Sequence, residues 1–478
     1  MRIFKNLLLN GSYQLLLILI PLITTPYVSR ILGVEGIGLN TLTATIVQYF
    51  TILAVLGTNT YGAREIAYYQ NQKRERSNAF WGITFISFIT TLISGILFLF
   101  FVLFFKKYEV IFLWQGVALL SVFFDISWYF RGIENFKIIV SWNVLIKVIT
   151  IILIFLFVRS SDDLIPYIII LSLGTLFSNI ILWLYLKNEI YPPQLRNLNM
   201  RRHFYGSFAL FVPTIAVQVY TVVNKNMIGV LDSIGSLGVF NQSNIIIQTA
   251  LAVVSTLNVV MLPRTSLLFS KGDVAGVHRN IVKTFNIASS IAIPTTFGLA
   301  AISLKFAPFF LGPQFRMVGI IMLIQSPVII FITGANIVGG QYLVATNKTY
   351  IFTLSALIGA FSNVIMNLAF IPTFGVAGAA VALVISELLV VSYQIFRIKE
   401  AIPLSVLFHG IWKYILAGGI MFMFVFSLNY LSKMTLQSLL IQILMGASIY
   451  LVLNKLFNTF LWTEGVLIWK KMRTKKSN

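Results

Sequence analysis

Runs of about twenty apolar residues recur along the whole chain, and nothing constrains its fold more. Each is long enough to cross roughly 30 Å of hydrocarbon as a helix. They fall at 9–29, 40–61, 81–104, 110–130, 139–158, 164–186, 208–231, 237–262, 284–306, 317–340, 350–371, 375–395, 410–430 and 435–456. Fourteen spans predict an all-α polytopic membrane protein, with twelve as the fallback where the connections at 306–317 and 371–375 are short and rich in Gly and Pro. Composition agrees: 58% of the 478 residues are hydrophobic and 10% charged, against roughly 25% charged in a soluble domain. Such a chain lacks the polar surface to cover itself in water. It has no cysteine, which removes disulfides, a thiolate nucleophile and Cys-based metal sites.

The net charge of +21 suits either a nucleic-acid binder or a membrane protein with basic loops, and position decides. With the N-terminus placed in the cytoplasm, 26 of the 35 Lys and Arg fall on the inner side, in eight separate segments that end with Lys470, Lys471, Arg473, Lys475 and Lys476. Seven fall outside, and Lys147 and Lys225 lie within spans. That alternation predicts N-in, C-in topology and argues against nucleic acid. His203, His278 and His409 fall on or near the inner face and read as surface residues. The basic Met1–Lys5 is followed by apolar sequence without a small-residue cleavage site, so the first helix is expected to be retained. The outer loops are no longer than about a dozen residues. They leave no room for the carboxylate-bearing loop that a polymerase or glycosyltransferase needs there, so no enzyme is expected. The inner segments 62–80, 187–207 and 263–283 read as polar connectors.

A weak internal echo links Pro21, Pro26, Gly33, Gly36 and Gly38 to Pro213, Gly229, Gly235 and Gly238. Each set pairs a proline-bearing helix with a glycine-rich turn. Six-helix halves over 1–199 and 200–400, with two further helices and a basic tail over 401–478, would carry a pseudo-two-fold axis.

Ionisable groups at membrane depth are the sharpest chemical signal, since each costs at least about 2.5–3.5 kcal/mol near a helix centre. Lys147 lies about eight residues into its span, roughly 12 Å deep at 1.5 Å per residue. It reads as an anion site in a wet cavity, or more plainly as a lysine reaching the interface. Lys225, between Asn224 and Asn226, reads as a cavity residue or as a helix–helix hydrogen-bonding node. Glu387 reads as a proton-coupling group or half of a structural ion pair. Asp125, Trp128, Arg131 and Glu134 stand three apart and would form one turning stripe with Trp128 as interfacial anchor. It reads as an inner-gate salt-bridge cluster or as a packing element. Asn363 and Asn367 share a helix face suited to hydrogen bonds between helices. There is no P-loop, so no ATP drive, and no metal or cofactor is expected.

Six segments carry a family resemblance: PLITTPYVSRILGVEGIG (21–38), LGTNTYGAREIA (56–67), DISWYFRGIENFK (125–137), VNKNMIG (223–229) leading to LGVFNQS, VVMLPRTS (259–266) and NVIMNLAFIPTFGVAGAAVALVISE (363–387). In this order, over nearly the whole chain, they resemble the polysaccharide-biosynthesis flippases, often called Wzx, of the multidrug/oligosaccharidyl-lipid/polysaccharide exporter superfamily. Two positions depart from the pattern: Arg131 stands where relatives more often have glutamine, and Asn224 where aspartate is common. The second departure puts in doubt a coupling role for the seventh helix.

The resemblance implies two six-helix bundles plus two helices, acting as a monomer. The substrate would be an undecaprenyl-pyrophosphate-linked oligosaccharide, moved to the outer leaflet by alternating access for capsule or exopolysaccharide synthesis. The pathway's polymerase and glycosyltransferases would be its partners. On this reading Lys147, Lys225, Asn224 and Arg30 line the anion-binding cavity, and Glu387, Asp125, Arg131 and Glu134 serve coupling or gating. The alternatives are an ion-coupled drug antiporter of the same superfamily, whose cavity should be rich in carboxylates, a membrane polymerase, and a non-transporting scaffold.

Overall fold

The computed structural model describes residues 2–187, 189–194 and 198–463, and every regular element among them is helical. The side chains of Arg2, Lys5 and Pro213, all of Arg196 and the basic tail from Lys470 to Lys476 lie outside the described residues. The chain divides into two compact units, Met1–Gly238 and Val239–Asn478. Unit 1 holds α1 (Arg2–Val55), α2 (Thr58–Tyr68), α3 (Lys73–Phe104), α4 (Glu109–Phe124), α5 (Ser127–Gly132), α6 (Phe136–Phe157), α7 (Leu164–Ile180) and α8 (Met200–Leu231). The helix α9 (Ile234–Ser270) leads into unit 2, which holds α10 (Val274–Leu311), α11 (Arg316–Gln325), α12 (Val328–Ala335), α13 (Thr349–Ile398), α14 (Leu404–Leu407), α15 (Ile411–Leu431) and α16 (Leu436–Leu456). The division falls after α8, not near residue 200, because α8 packs on α1, α2 and α3.

Ten helices among the described residues are long and apolar enough to cross a bilayer, or eleven if the bent pair over 313–343 is one span. Two of the helices merge spans that the apolar runs separate. The 54-residue α1 is broken at Gly33 (φ 70°, ψ −177°) and the 50-residue α13 at Gly375 (φ 57°, ψ −141°). At 1.5 Å per residue each is about 75–80 Å long, more than twice the hydrocarbon thickness. Only glycine occupies that backbone region readily. The single span expected at 317–340 is instead bent by 47° between α11 and the segment Val328–Leu343. Pro327 stands at the break, where it has no N–H to continue the ladder.

The segments expected as polar connectors are also more helical than expected. Lys73–Phe104 starts eight residues before the apolar run at 81, and α9 and α10 fill most of 263–283. Apolar windows mark where hydrocarbon begins, whereas a helix continues past it wherever its residues are good helix formers. The connections at 158–163 and 432–435 are short.

The surface is apolar and the interior is partly polar. Leu103 on α3 and Leu444 on α16 are 65% and 67% exposed, while Asn363, Asn367, Ser355 and Gln394 are fully buried on α13. Lipid suits the first set, and within the second Gln394 Nε2 donates to the Ser355 hydroxyl at 2.8 Å. Asn367 donates to Asn363 Oδ1 at 2.9 Å along α13 itself, so that bond runs within a helix and not between helices. The core of unit 1 gathers Phe80, Trp128, Tyr129 and Phe130, with Phe80 and Trp128 stacked at 5.5 Å. That of unit 2 gathers Ile281, Val338, Leu343 and Tyr414.

Candidate functional site

The segments LGTNTYGAREIA and DISWYFRGIENFK meet at one end of unit 1. Gly62 lies under the Trp128 ring, where an added Cβ would approach ring carbons to 2.5–2.7 Å, and Gly132 lies under Ile66. Glycine at both positions lets α2 and α5 touch backbone to side chain. Trp128 is therefore buried at 1% exposure, and the interfacial anchor expected from the sequence is corrected. The expected stripe is also broken up. α4 stops at Phe124, Asp125 is extended (φ −74°, ψ 95°), and Glu134 has left-handed backbone (φ 58°) beyond the end of α5. Asp125, Arg131 and Glu134 thus do not share one helix face.

Asp125 acts locally. Its carboxylate accepts from the Ser127 N–H at 2.9 Å and from Asn59 Nδ2 at 3.1 Å, tying the start of α5 to α2. Arg131 donates to the Ser127 hydroxyl at 3.4 Å. Two ion pairs stand at this end: Arg202–Glu65 at 3.1 Å, with Glu65 buried, and Arg76–Glu189 at 3.3 Å. Both join residues more than a hundred positions apart, which no sequence periodicity reveals. The Tyr61 hydroxyl lies 2.9 Å from Nδ1 of His203. His203 is buried on the first turn of α8, ahead of the apolar stretch that starts at 208, and is not the surface residue expected. Burial, reinforced by the Arg202 guanidinium, pushes its imidazole down to about 4. The ring is neutral at physiological pH.

Asp125, Arg131 and Lys147 line a single cavity of about 700 Å³ between the α5 region, α6 and α7. Asn143, Thr150, Thr175, Ser178 and Asn179 supply further polar groups. Lys147 is exposed into this space. An intramembrane cation is expected to face such a cavity. A smaller cavity of about 230 Å³ shares Leu171 and Thr175 with the first and adds Asn40, Gln48, Thr51 and Gln115. There Gln115 Nε2 donates to Thr43 at 2.9 Å and to Asn40 at 3.2 Å. The two cavities therefore adjoin at Leu171 and Thr175.

The other expected site residues stand elsewhere. Lys225 is half-buried and Asn224 buried on α8, and neither lines the Lys147 cavity. Their neighbour Asn226 accepts from Thr45 at 2.7 Å and donates to the Tyr49 hydroxyl at 3.1 Å, which pins α8 to α1. Arg30 is exposed on α1, three residues before the Gly33 break. Glu387 is buried in unit 2, on α13 after Gly375. The structure thus unites Lys147, Asp125 and Arg131 in one cavity lining, to which Lys225 and Arg30 of the same unit do not contribute.

Residues 3–269 match the family described as "Polysaccharide biosynthesis protein". A protein of Escherichia coli (strain K12) named "Putative O-antigen transporter" is 24% identical over 390 residues, covering 80% of this chain and 93% of the relative. One of the same name from Shigella dysenteriae is 21% identical over 402 residues, covering 83% and 100%. Among solved structures, the lipid II flippase MurJ in an inward closed conformation has a TM-score of 0.74 at 16% identity, covering 95% of this chain and 98% of its own. A multidrug-resistance MATE transporter in an inward-facing conformation has 0.64 at 14%, covering 80% and 95%. The two structural likenesses establish the fold.

Proposed function

The chain belongs to the polysaccharide biosynthesis protein family, and from that premise we propose that it is a flippase for undecaprenyl-pyrophosphate-linked oligosaccharides. It moves repeat units of a capsule or exopolysaccharide from the inner to the outer leaflet of the bacterial cytoplasmic membrane. It works as a monomer by alternating access, with fourteen crossings, both termini in the cytoplasm, and the pathway's glycosyltransferases and polymerase as partners in sequence.

The observation that carries this reading is the cavity holding Lys147, Arg131 and Asp125 inside a helical unit. Each sugar hydroxyl left unpaired in hydrocarbon costs on the order of 4–8 kcal/mol, so an oligosaccharide must travel in a hydrated polar space. The pyrophosphate calls for cations along that space. Lys147 supplies a point charge, Arg131 a planar fork suited to phosphate oxygens, and the amides and hydroxyls of α6 and α7 suit sugars. The antiporter reading calls for the opposite balance, and Asp125 is occupied by Ser127 and Asn59.

A clean deletion in a host without a paralogue provides the test. Lipid-linked repeat units should accumulate on the inner leaflet and surface polysaccharide should disappear. Normal surface polysaccharide in that strain, or resistance to cationic drugs as the sole effect of overexpression, sinks the proposal.

A further inference from the structure

Unit 2 holds a cavity of about 730 Å³ whose lining contains four basic side chains, His278, Arg279, Lys283 and His409, and no acidic one. It lies between the first turns of α10 and the turn that carries α14. His278, Val282 and Asn286 follow each other four apart, as do Arg279 and Lys283, so one face of α10 supplies most of the polar wall. His409 and Ser405 close it from the opposite side, and Ile402, Val406 and Phe460 add apolar surface. The Lys283 ammonium stands 5.9 Å over the Phe460 ring. Two nearby carboxylates stay out of the lining: Asp273 accepts from the Gly276 N–H at 2.7 Å, and Glu400 is exposed. Asn286 is 5% exposed, and its Oδ1 has no hydrogen-bond partner among the described residues.

We propose that this cavity binds the phosphate of an acidic phospholipid with a hydroxylated headgroup. Arg279 and Lys283 hold the phosphate, the two imidazoles add N–H donors, and Asn286 Oδ1 accepts from the headgroup hydroxyl. The apolar residues receive the glycerol end of the acyl chains. Basic pockets at the ends of membrane helices are suited to such headgroups. The site is in unit 2, shares no residue with the Lys147 cavity, and stands whether or not the chain is a flippase.

Native mass spectrometry on the full chain in detergent, titrated with phosphatidylglycerol or phosphatidylcholine, tests it. Phosphatidylglycerol should bind about tenfold tighter or more, the scale of one or two charge-assisted hydrogen bonds. R279Q/K283Q should abolish that preference. K271Q/K399Q removes the same charge from exposed residues outside the lining and should retain it. S405E, at an exposed lining position that leaves packing intact, should weaken phosphatidylglycerol by a similar factor. Equal losses in both double variants reduce the effect to surface charge and overturn the proposal, as does an unchanged preference in R279Q/K283Q and S405E. Millimolar inorganic phosphate should compete with the lipid. Binding of inorganic phosphate without any of phosphatidylglycerol overturns the lipid assignment.

Discussion

Lys147 and Lys225 look alike in the sequence, each a lone cation in an apolar run, but the structure gives them different surroundings. Lys147 opens into the cavity of Asp125 and Arg131, whereas Lys225 sits half-buried beside an amide that fastens α8 to α1. Replacing Lys147 with alanine should therefore lower transport about tenfold or more, the scale of a lost charge-assisted contact, at unchanged membrane abundance, with arginine restoring part of it. Asn226→Ala should behave differently, lowering abundance and thermal stability by about 1 kcal/mol, the scale of an interhelical hydrogen bond in a membrane. Lys225→Ala discriminates between its two readings according to which pattern it follows. A flipping assay in proteoliposomes beside a detergent melt separates the outcomes, and full transport by Lys147→Ala would retire the anion site. The depth of Lys147 was legible in the sequence, because a lysine eight residues into an apolar run declares itself. Its partners were not. They depend on where α4 stops and how α5 turns back, which is set by Asp125 bonding forward to Ser127 and across to Asn59.

Helix positions were legible as hydrophobic stretches, but helix ends were not. The apolar run at 9–29 and most of that at 40–61 fall within α1, which kinks at Gly33, and those at 350–371 and 375–395 fall within α13, which kinks at Gly375. Hydropathy cannot report a turn that costs only one residue's torsion angles. Both glycines occupy backbone angles that strain any side chain by about 1–3 kcal/mol, so Gly33→Ala and Gly375→Ala should each lower the melting temperature and reduce transport. Gly95 and Gly419 lie in helices with open space where a Cβ would go. There alanine should be neutral or stabilising, by up to about 1 kcal/mol. Melting curves of the four purified variants check the contrast. If all four behaved alike, the two breaks would have no special backbone requirement. The Gly38 position adds a second constraint, because a Cβ there would collide with the Ile234 carbonyl at the start of α9.

The resemblance treats residues 401–478 as two helices added to a complete twelve-helix transporter, and their packing argues that unit 2 depends on them. α15 lies along α10 with Gly418 against Phe297 and Ile293, where a Cβ would come within 2.6–3.1 Å. Asn429 donates to the Ala301 carbonyl at 3.1 Å and the Tyr450 hydroxyl to that of Ser290 at 2.9 Å. Lys305 reaches from α10 to the Tyr430 and Ser432 carbonyls at 2.8 and 2.9 Å, capping the end of α15. In lipid, helix association rests on such close packing and interhelical hydrogen bonds, since burial of apolar surface gains little there. Lipid tails can cover the face of α10, but they cannot replace these donors. A chain ending after Ile402 should therefore lose the folded state, with several-fold lower abundance in the membrane and no monodisperse peak on size-exclusion chromatography in detergent. A symmetric, stable peak from that truncation would make the pair a detachable appendage. Loss of the peak would make α15 and α16 part of the second unit's core, so that the 478-residue chain holds two units of nearly equal length, each completed by its own helices.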